Sequence, residues 1–350
     1  MQNQPLISIL LPVYNSEIFL RNCLNALICQ SYKNIEVIAV NDGSTDNSLQ
    51  ILQEYAQKDS RVKVFSQDNR GPATTRNHCM SKASGEYIMF CDSDDTYESN
   101  MCEKMLTTLL EKDVDVVMCL AKLMHYNNYN RYTSESHFDK IAPYGFIDME
   151  RYLSKYEAVY LWNKIFKKSL IDKYNIRFPD GLEADDGLFC YQYLVVCKKG
   201  FGINDKLYNY RIRENSVMDL YHKRKSNTFC DRIKIMLPFY CFLTENKLFE
   251  KYKYIYITKF LLQFRILWNL ARSEAEKGEI LECCKAVISS VAFDLKKYSF
   301  FRLINDSQIK KIDEIIKNES IRFIILRDFS FISMVKQLNK LLFCYFRFLA

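Results

Sequence analysis

The chain has 350 residues, which is longer than most single domains, and 49% of them are hydrophobic, enough for a sizeable core. This composition excludes a disordered protein, and only 9 glycines and 6 prolines exclude a low-complexity or collagen-like one. The net charge of +7 is modest for this length, so its distribution along the chain is more informative than its sum.

The positive charge is concentrated in the last third of the chain. Residues 223–350 carry 24 Lys and Arg against 13 Asp and Glu, a net charge of +11, which leaves −4 for residues 1–222. A basic segment rich in Phe, Tyr and Leu favours an anionic surface, such as a lipid headgroup layer, over nucleic acid. An ordinary helical domain with a solvated charged face would explain the same composition. We place a boundary near residues 221–226.

The 13 cysteines are odd in number and scattered, and none forms a CxxC pair, which predicts reduced packing residues in a cytoplasmic protein. The N-terminus lacks the basic region and cleavage site of a signal peptide, and no stretch reaches about 18 uncharged apolar residues. We therefore expect neither secretion nor a transmembrane helix. None of the four histidines has metal-ligand spacing, and we expect His78 to be structural.

Apolar runs and helical periods alternate over the first 120 residues. The predicted strands are 6–13, 35–40, 62–65, 86–91 and 114–119, and the helices between them cover 20–28, 49–55, 74–82 and 100–111. Residues 120–222 predict a mixed continuation with a strand from Leu207, and helical segments follow near 227–249, 254–272 and from about 308. The βα alternation predicts an α/β fold with a mostly parallel sheet flanked by helices, followed by a helical C-terminal region.

Polar clusters follow each of the first four predicted strands: PVYNSE, NDGSTD, QDNRG and DSDDTYE. Because ligands of such sheets bind outside the carboxyl ends of the strands, this co-location predicts a ligand site at that edge. The first loop contains no glycine, which excludes the dinucleotide fingerprint, so we expect side chains and a metal ion to hold the ligand.

Two acidic clusters are candidates for chemistry. Asp92 and Asp94 lie two residues apart and project to the same side of an extended chain, whereas Asp95 points elsewhere. Such carboxylates suit Mg²⁺ or Mn²⁺ bridging to phosphate oxygens. A solvated loop before a helix N-cap is the alternative, and we assign Asp95 and Thr96 to the turn and cap.

The second cluster, Glu183, Asp185 and Asp186, precedes a helical apolar run. It could supply a general base, or it could only stabilise the helix dipole. Positive side chains that could meet an anionic ligand, or simply face solvent, are Arg70, Arg76, Lys164, Arg211 and Arg213.

In this order the motifs SILLPVYN, VNDGSTDNS, NRGPATTRN, FCDSDD and a later acidic pair resemble family 2 glycosyltransferases of the GT-A fold. The resemblance covers roughly residues 6–220 and is strongest to bacterial enzymes that extend capsule, exopolysaccharide or lipooligosaccharide chains. It implies a catalytic domain over 1–222, outside which the basic, aromatic-rich region 223–350 lies. The enzyme would be an inverting hexosyltransferase that uses Mn²⁺ or Mg²⁺ and a nucleotide-sugar donor, with UDP preferred.

The resemblance also implies individual roles. Tyr14 would lie close to the base, Asp42 would bond uracil, and Arg76 would contact the base or diphosphate. Asp94 would be the main metal ligand, and Asp92 would address ribose and metal. Asp186 would be the catalytic base, with Asp185 as the alternative because it stands where Glu is commoner. The implied nucleotide-sugar-binding set is Pro12, Val13, Tyr14, Asn15, Glu17, Asp42, Arg76, Asp92, Ser93, Arg211, Arg213 and Ser216.

The implied reaction is a single displacement at the anomeric carbon by a hydroxyl of a glycan or lipid-linked saccharide, in the cytoplasm or on the inner face of the membrane. Two alternatives remain from the residues. FCDSDDT also fits a haloacid-dehalogenase-like phosphatase with Asp92 as nucleophile, although that motif normally follows a first strand. A catalytically silent nucleotide-sugar-binding protein would carry the same motifs.

Overall fold

The structure is a computed structural model that describes residues 4–125, 132–133, 144–155, 160–182, 185–212, 230–291, 304, 307 and 309–318. The chain divides into two compact units, residues 1–229 and 230–350. The boundary predicted from sequence, near residues 221–226, lies outside the described residues.

The first unit begins with the predicted alternation of strands and helices. Its elements are β1 (Ile7–Val13), α1 (Glu17–Ile28), β2 (Ile35–Asp42), α2 (Ser48–Lys58), β3 (Val62–Gln67), α3 (Pro72–Lys82), β4 (Tyr87–Phe90), β5 (Thr96–Tyr97), α4 (Met101–Glu111) and β6 (Val116–His125). It continues with β7 (Tyr132–Thr133), β8 (Gly145–Ile147), α5 (Met149–Lys155), β9 (Lys164–Lys167), α6 (Lys168–Lys173), α7 (Asp185–Val196) and β10 (Gly200–Ile212).

The strands form one sheet in the order β3-β2-β1-β4-β9-β6-β10-β5, with β7 on β6 and β8 on β10. Strand β1 runs parallel to β2 and β4, β2 to β3, and β6 to β10, which confirms the mostly parallel sheet. Strand β9 differs, because it lies antiparallel between β4 and β6. Its first residue, Lys164, is therefore aligned with Met118 of β6, and the residues before it emerge at the carboxyl edge of the parallel strands.

The continuous apolar runs become strands that are buried on both faces, as the sequence predicts. All eight residues of β2 are buried. The apolar positions of α1, at spacings of three and four, lie in the same core and include Leu20, Leu24 and Leu27. Helix α2 contributes Leu52 to this core. The apolar faces of these helices and strands thus pack together in one core.

Glu36 is a carboxylate inside buried strand β2, and it marks the amino edge of the sheet. It accepts hydrogen bonds from Ser8 Oγ at 2.5 Å, Ser84 N at 2.7 Å and Lys63 Nζ at 2.7 Å. Burial raises the pKa of Glu36, but the hydrogen bonds from Lys63, Ser8 and Ser84 outweigh it and hold the pKa below its ordinary value. Hydrogen-bond donors within the protein therefore stabilise the Glu36 carboxylate.

The second unit is helical over its described residues, as predicted. Its helices are α8 (Asp231–Lys234), α9 (Met236–Glu245), α10 (Phe249–Leu270), α11 (Glu274–Ser290) and α12 (Ile309–Asn318). Helix α11 falls where we predicted none, and the prediction beyond residue 318 lies outside the described residues. No described helix is both long and apolar enough to cross a membrane.

The first prediction concerns Gly85, whose backbone N–H donates to Ser8 Oγ at 2.8 Å. A Cβ at Gly85 would lie 2.7 Å from Leu6 O and from Ser8 N, which are backbone atoms and cannot move aside cheaply. We expect Gly85→Ala to lower the free energy of unfolding by about 1–3 kcal/mol. Urea unfolding followed by circular dichroism would measure the change.

The matched control is Gly278→Ala, because Gly278 lies in α11 and a Cβ there would meet nothing within 4 Å. This substitution should leave stability unchanged or raise it by about 0.5–1 kcal/mol, since alanine favours the helix. Equal behaviour of the two variants would contradict the close approach described at Gly85.

Candidate functional site

The loop after β1 is fixed to the loop after β2 by Asn15. Its Oδ1 accepts a hydrogen bond from Thr45 N at 2.8 Å, and its own N–H donates to Ser44 Oγ at 3.1 Å. Asn15 adopts the left-handed region with a φ of 45°, which asparagine tolerates better than most residues. Val13 is buried, whereas the neighbouring Tyr14 is 50% exposed, so its ring lies at the surface of this edge.

Glu17 strengthens the same junction. The Glu17 N–H donates to Asp46 Oδ2 at 3.0 Å, and Glu17 Oε2 accepts from Asn47 N at 3.0 Å. Burial raises the pKa of Asp46, but hydrogen bonds from Ser48 and the Glu17 backbone outweigh it and leave the pKa below its ordinary value. The two carboxylates therefore hold the starts of α1 and α2 together.

Asp42, at the end of β2, orders the loop that precedes α3. Its oxygens accept from Arg70 N at 2.9 Å, Gly71 N at 2.9 Å and Gln67 Nε2 at 2.8 Å. Gln67 Oε1 in turn accepts from His78 Nδ1 at 2.7 Å. Burial and the nearby Lys82 lower the pKa of His78, consistent with a neutral ring that donates through Nδ1. Asp42 is only 3% exposed, whereas the Arg70 side chain is exposed.

Arg76 on α3 bridges two of the predicted acidic residues. Its NH2 lies 3.3 Å from Asp92 Oδ1, and its NH1 lies 3.1 Å from Asp186 Oδ1. The guanidinium also lies 5.8 Å from the ring centre of Phe178. Three segments that are distant in sequence, namely α3, the end of β4 and the start of α7, meet at this one cation.

The residues 92–95 form a tight turn, closed by a hydrogen bond from Asp95 N to Asp92 O at 3.0 Å. Ser93 Oγ lies 2.6 Å from Ser16 Oγ, which links the turn to the first loop. Asp95 faces inward, and its pKa is raised well above the ordinary value by burial and by the charges of Asp94 and Asp92. We name this segment, Asp92 to Asp95, the acidic turn.

The sequence assigned Asp95 and Thr96 to the turn and the helix cap, and the cap part of this prediction is wrong. Thr96 begins β5, and the residue before helix α4 is Asn100. The short strand intervenes because Thr96 and Tyr97 pair with β10. A capping pattern considers only neighbouring residues, so it could not indicate that Thr96 and Tyr97 pair with a strand far along the chain.

Sequence reasoning missed the aromatic support beneath the acidic turn. Trp162 stacks on Tyr208, with ring centres 4.5 Å apart and planes 19° apart. Both rings are buried, and the antiparallel direction of β9 brings Trp162 to the carboxyl edge. The aromatic run VYLWNK was a signal of packing, but nothing local identified its partner.

Lys164 lies inside the fold, although its charge made it a candidate for binding an anion. The residue is fully buried, and its Nζ donates to Asn163 Oδ1 at 2.8 Å and to Tyr160 O. Burial lowers the pKa of Lys164. Backbone and amide oxygens accept hydrogen bonds from this ammonium in the interior.

Several predicted site residues cannot be placed. Glu183, Arg213 and Ser216 lie outside the described residues, and Asp185 begins α7 but its side chain is not described. The described cysteines are free thiols, most of them buried. Within the described ranges, no group of three or more His, Cys, Asp or Glu side chains could hold a metal ion by itself.

Comparison with known proteins identifies the family of this chain. The family described as Glycosyl transferase family 2 matches residues 8–174. EpsH of Bacillus subtilis is 34% identical over 257 residues, which cover 71% of this chain and 72% of EpsH. The glycosyltransferase GlyA of Streptococcus pneumoniae is 26% identical over 352 residues, covering 95% of this chain but only 49% of GlyA.

Among solved structures, S. aureus TarS 1-349 in complex with UDP-GlcNAc superposes with a TM-score of 0.68 and 23% identity, covering 89% of this chain and 90% of that one. The mostly parallel sheet, its flanking helices and the helical C-terminal region are thus a GT-A-like architecture. The chain belongs to glycosyl transferase family 2. Nothing in these comparisons favours the phosphatase alternative.

The second prediction tests the Arg76 bridge. Arg76→Lys keeps the positive charge but replaces a planar fork with a single point charge, which cannot reach both carboxylates in the same geometry. We expect the rate of glycosyl transfer to fall by about 10- to 100-fold. Steady-state kinetics of the variant against the unmodified chain would measure the loss.

Arg61→Lys is the matched control. Arg61 also makes a forked contact, donating to Asp59 Oδ1 at 3.0 Å and to Asp59 Oδ2 at 2.7 Å, but it precedes β3 at the amino edge of the sheet. Its variant should keep the rate within about twofold. Equal losses in both variants would show that Arg76 acts on stability alone.

Proposed function

We propose that this protein transfers a sugar from a UDP-sugar to a hydroxyl of a glycan or lipid-linked saccharide, with inversion, during synthesis of a cell-surface polysaccharide. The observation that carries the proposal is the Arg76 bridge, with NH1 3.1 Å from Asp186 and NH2 3.3 Å from Asp92. This bridge places Asp92, which we assign to the donor, beside Asp186, which we assign to the acceptor. Both lie at the edge of the sheet where α/β proteins bind ligands.

The acidic turn fits a divalent cation shared with the donor. Asp92 and Asp94 offer hard carboxylate oxygens, and Mg²⁺ is commonly held by one or two carboxylates together with substrate phosphates. Asp95 is buried away from this position, at 1% exposure, which leaves two carboxylates for the ion. Once bound, Mg²⁺ or Mn²⁺ would offset the charge that develops on the diphosphate as it leaves.

Asp186 is the proposed general base. An acceptor hydroxyl would give its proton to the Asp186 carboxylate as its oxygen forms a bond to the anomeric carbon, and the bond to the nucleoside diphosphate would break. Arg76 would orient this carboxylate, because its NH1 lies 3.1 Å from Asp186 Oδ1. A single displacement inverts the anomeric configuration. Asp185 remains the alternative base.

The nucleotide would lie against the first two loops. Tyr14 is exposed there and could stack on the base, while Asn15 keeps its loop fixed to Thr45. Support for UDP comes from the family resemblance and from the UDP-GlcNAc complex of TarS. Both carboxylate oxygens of Asp42 already accept hydrogen bonds from other residues of the protein. A contact with uracil would add a further hydrogen bond to one of them.

The third prediction uses a panel of nucleotide sugars with Mn²⁺ and candidate lipid-linked acceptors. We expect release of UDP with transfer of the sugar, loss of turnover on chelation, and a fall of about 100-fold or more in Asp94→Asn and Asp186→Asn. Asp172→Asn is the control, because the Asp172 carboxylate pairs with Lys168 on α6 and lies outside the site. Nuclear magnetic resonance of the product would report inversion.

Other outcomes of this assay distinguish the alternatives. Release of inorganic phosphate from phosphomonoesters would favour the phosphatase. Binding of nucleotide sugar without product, across the acceptor panel, would favour a catalytically silent binding protein.

We also propose that the basic region 223–350 contacts the anionic inner face of the membrane. Its support is compositional, a net charge of +11 combined with many aromatic residues. The fourth prediction is that the full chain co-sediments with anionic vesicles at low salt, and that salt or neutral vesicles abolish this, because exposed charges are screened. Absence of binding at low salt would remove the proposal.

A further inference from the structure

The acidic turn is held from behind by strand β10. The hydroxyl of Tyr208 accepts a hydrogen bond from Asp92 N at 3.2 Å and lies 2.7 Å from Asp95 Oδ2. A phenol has one hydrogen, so Tyr208 donates it to Asp95 and receives from Asp92. One side chain therefore joins both ends of the turn.

Arg211, three residues further along β10, adds two more links. Its backbone N–H donates to Asp95 Oδ1 at 2.7 Å, and its Nε donates to Asp94 O at 2.9 Å. Its guanidinium is also 5.1 Å from the ring centre of Phe19. Asp95 thus accepts on both oxygens from β10, and Asp92 and Asp94 are each bonded to β10 through their backbone.

The anchor is rigid because Tyr208 belongs to the sheet. It is fully buried, stacks on Trp162, and pairs with Tyr97 of β5 and Ala121 of β6. Packed side chains in a sheet interior have few alternative rotamers, so the hydroxyl is held at one point. The position of the turn is consequently set by the sheet.

We propose that Asp95 and Tyr208 are positioning residues that hold the Asp92 and Asp94 carboxylates in the geometry that receives the cation and the diphosphate. Both residues are buried, with Tyr208 0% and Asp95 1% exposed, so neither is placed to touch a ligand. This inference rests on the proposed function, in which Asp92 and Asp94 meet the ion. Outer residues that fix metal-binding carboxylates commonly change metal affinity by about 10- to 100-fold when they are lost.

The test compares Tyr208→Phe with Tyr193→Phe in the full chain. Tyr193 is also fully buried, and its hydroxyl donates to Asp115 O at 2.7 Å and accepts from Lys167 N at 2.8 Å, at the amino edge of the sheet. Electron paramagnetic resonance of free Mn²⁺, titrated in the presence of UDP, gives the half-saturating concentration. We expect a rise of about 10-fold or more in Tyr208→Phe and little change in Tyr193→Phe.

Asp95 supplies a graded series. Asp95→Asn keeps one oxygen that can accept from Arg211 N, whereas Asp95→Ala keeps none, so the loss of Mn²⁺ affinity should be smaller in the asparagine variant. Thermal unfolding of each variant separates this effect from general destabilisation. Mn²⁺ affinity in Tyr208→Phe equal to that of the Tyr193→Phe control would overturn the inference.

Amide hydrogen exchange of residues 90–97 provides a readout without metal. Loss of the Tyr208 hydroxyl removes the acceptor of the Asp92 N–H, so exchange across the turn should accelerate in Tyr208→Phe alone. If the unmodified chain binds no Mn²⁺ with UDP, the metal-dependent function fails and this role in holding a metal site fails with it. If Mn²⁺ binds but turn exchange and affinity are unchanged by Tyr208→Phe, only the positioning role fails.

Discussion

The site depends on one guanidinium, that of Arg76, placed between two carboxylates. Asp92 and Asp186 carry like charges, and the Arg76 guanidinium lies between them, with NH2 3.3 Å from Asp92 Oδ1 and NH1 3.1 Å from Asp186 Oδ1. The Arg76 side chain is only 11% exposed, so solvent and salt screen these contacts less than they screen a surface ion pair. Arg76 therefore fixes the segment after β4 and the start of α7 relative to α3.

Glu36 at the amino edge of the sheet and the acidic turn at the carboxyl edge differ in their surroundings. At the amino edge, Glu36 is buried and bonded by Ser8, Ser84 and Lys63, so its charge is satisfied within the fold. At the carboxyl edge, Tyr14 is half exposed. In the acidic turn, the Asp95 carboxylate is bonded to the buried Tyr208, whereas Asp92 and Asp94 are bonded to β10 through their backbone atoms. Glu36 is thus held within the fold, whereas Asp92 and Asp94 lie at the edge where we propose that a charged ligand binds.

Three aspartates of the acidic turn illustrate how far sequence reasoning extends. Alternation along an extended chain predicted that Asp95 points away from Asp92 and Asp94. The structure does bury Asp95, but residues 92–95 form a turn and not an extended strand, so that reason was wrong. What holds Asp95 could not be predicted, because Tyr208 lies 113 residues away along the chain. The cap assigned to Asp95 and Thr96 failed for the same reason, since β10 captures Thr96 and Tyr97 as a short strand. Likewise, the positive charge of Lys164 made it a candidate to bind an anionic ligand, whereas local backbone and amide oxygens hold it in the interior.

Sequence alone predicts the alternation of strands and helices, the strand ends that carry polar residues, and the family resemblance. These follow from periodicity and short motifs, which are properties of neighbouring residues. The folded structure was needed to show that β9 runs antiparallel, that Trp162 stacks on Tyr208, and that Arg76 joins Asp92 to Asp186. These arrangements depend on hydrogen bonds and packing between residues far apart in the chain, and no local pattern encodes the partner of such a contact.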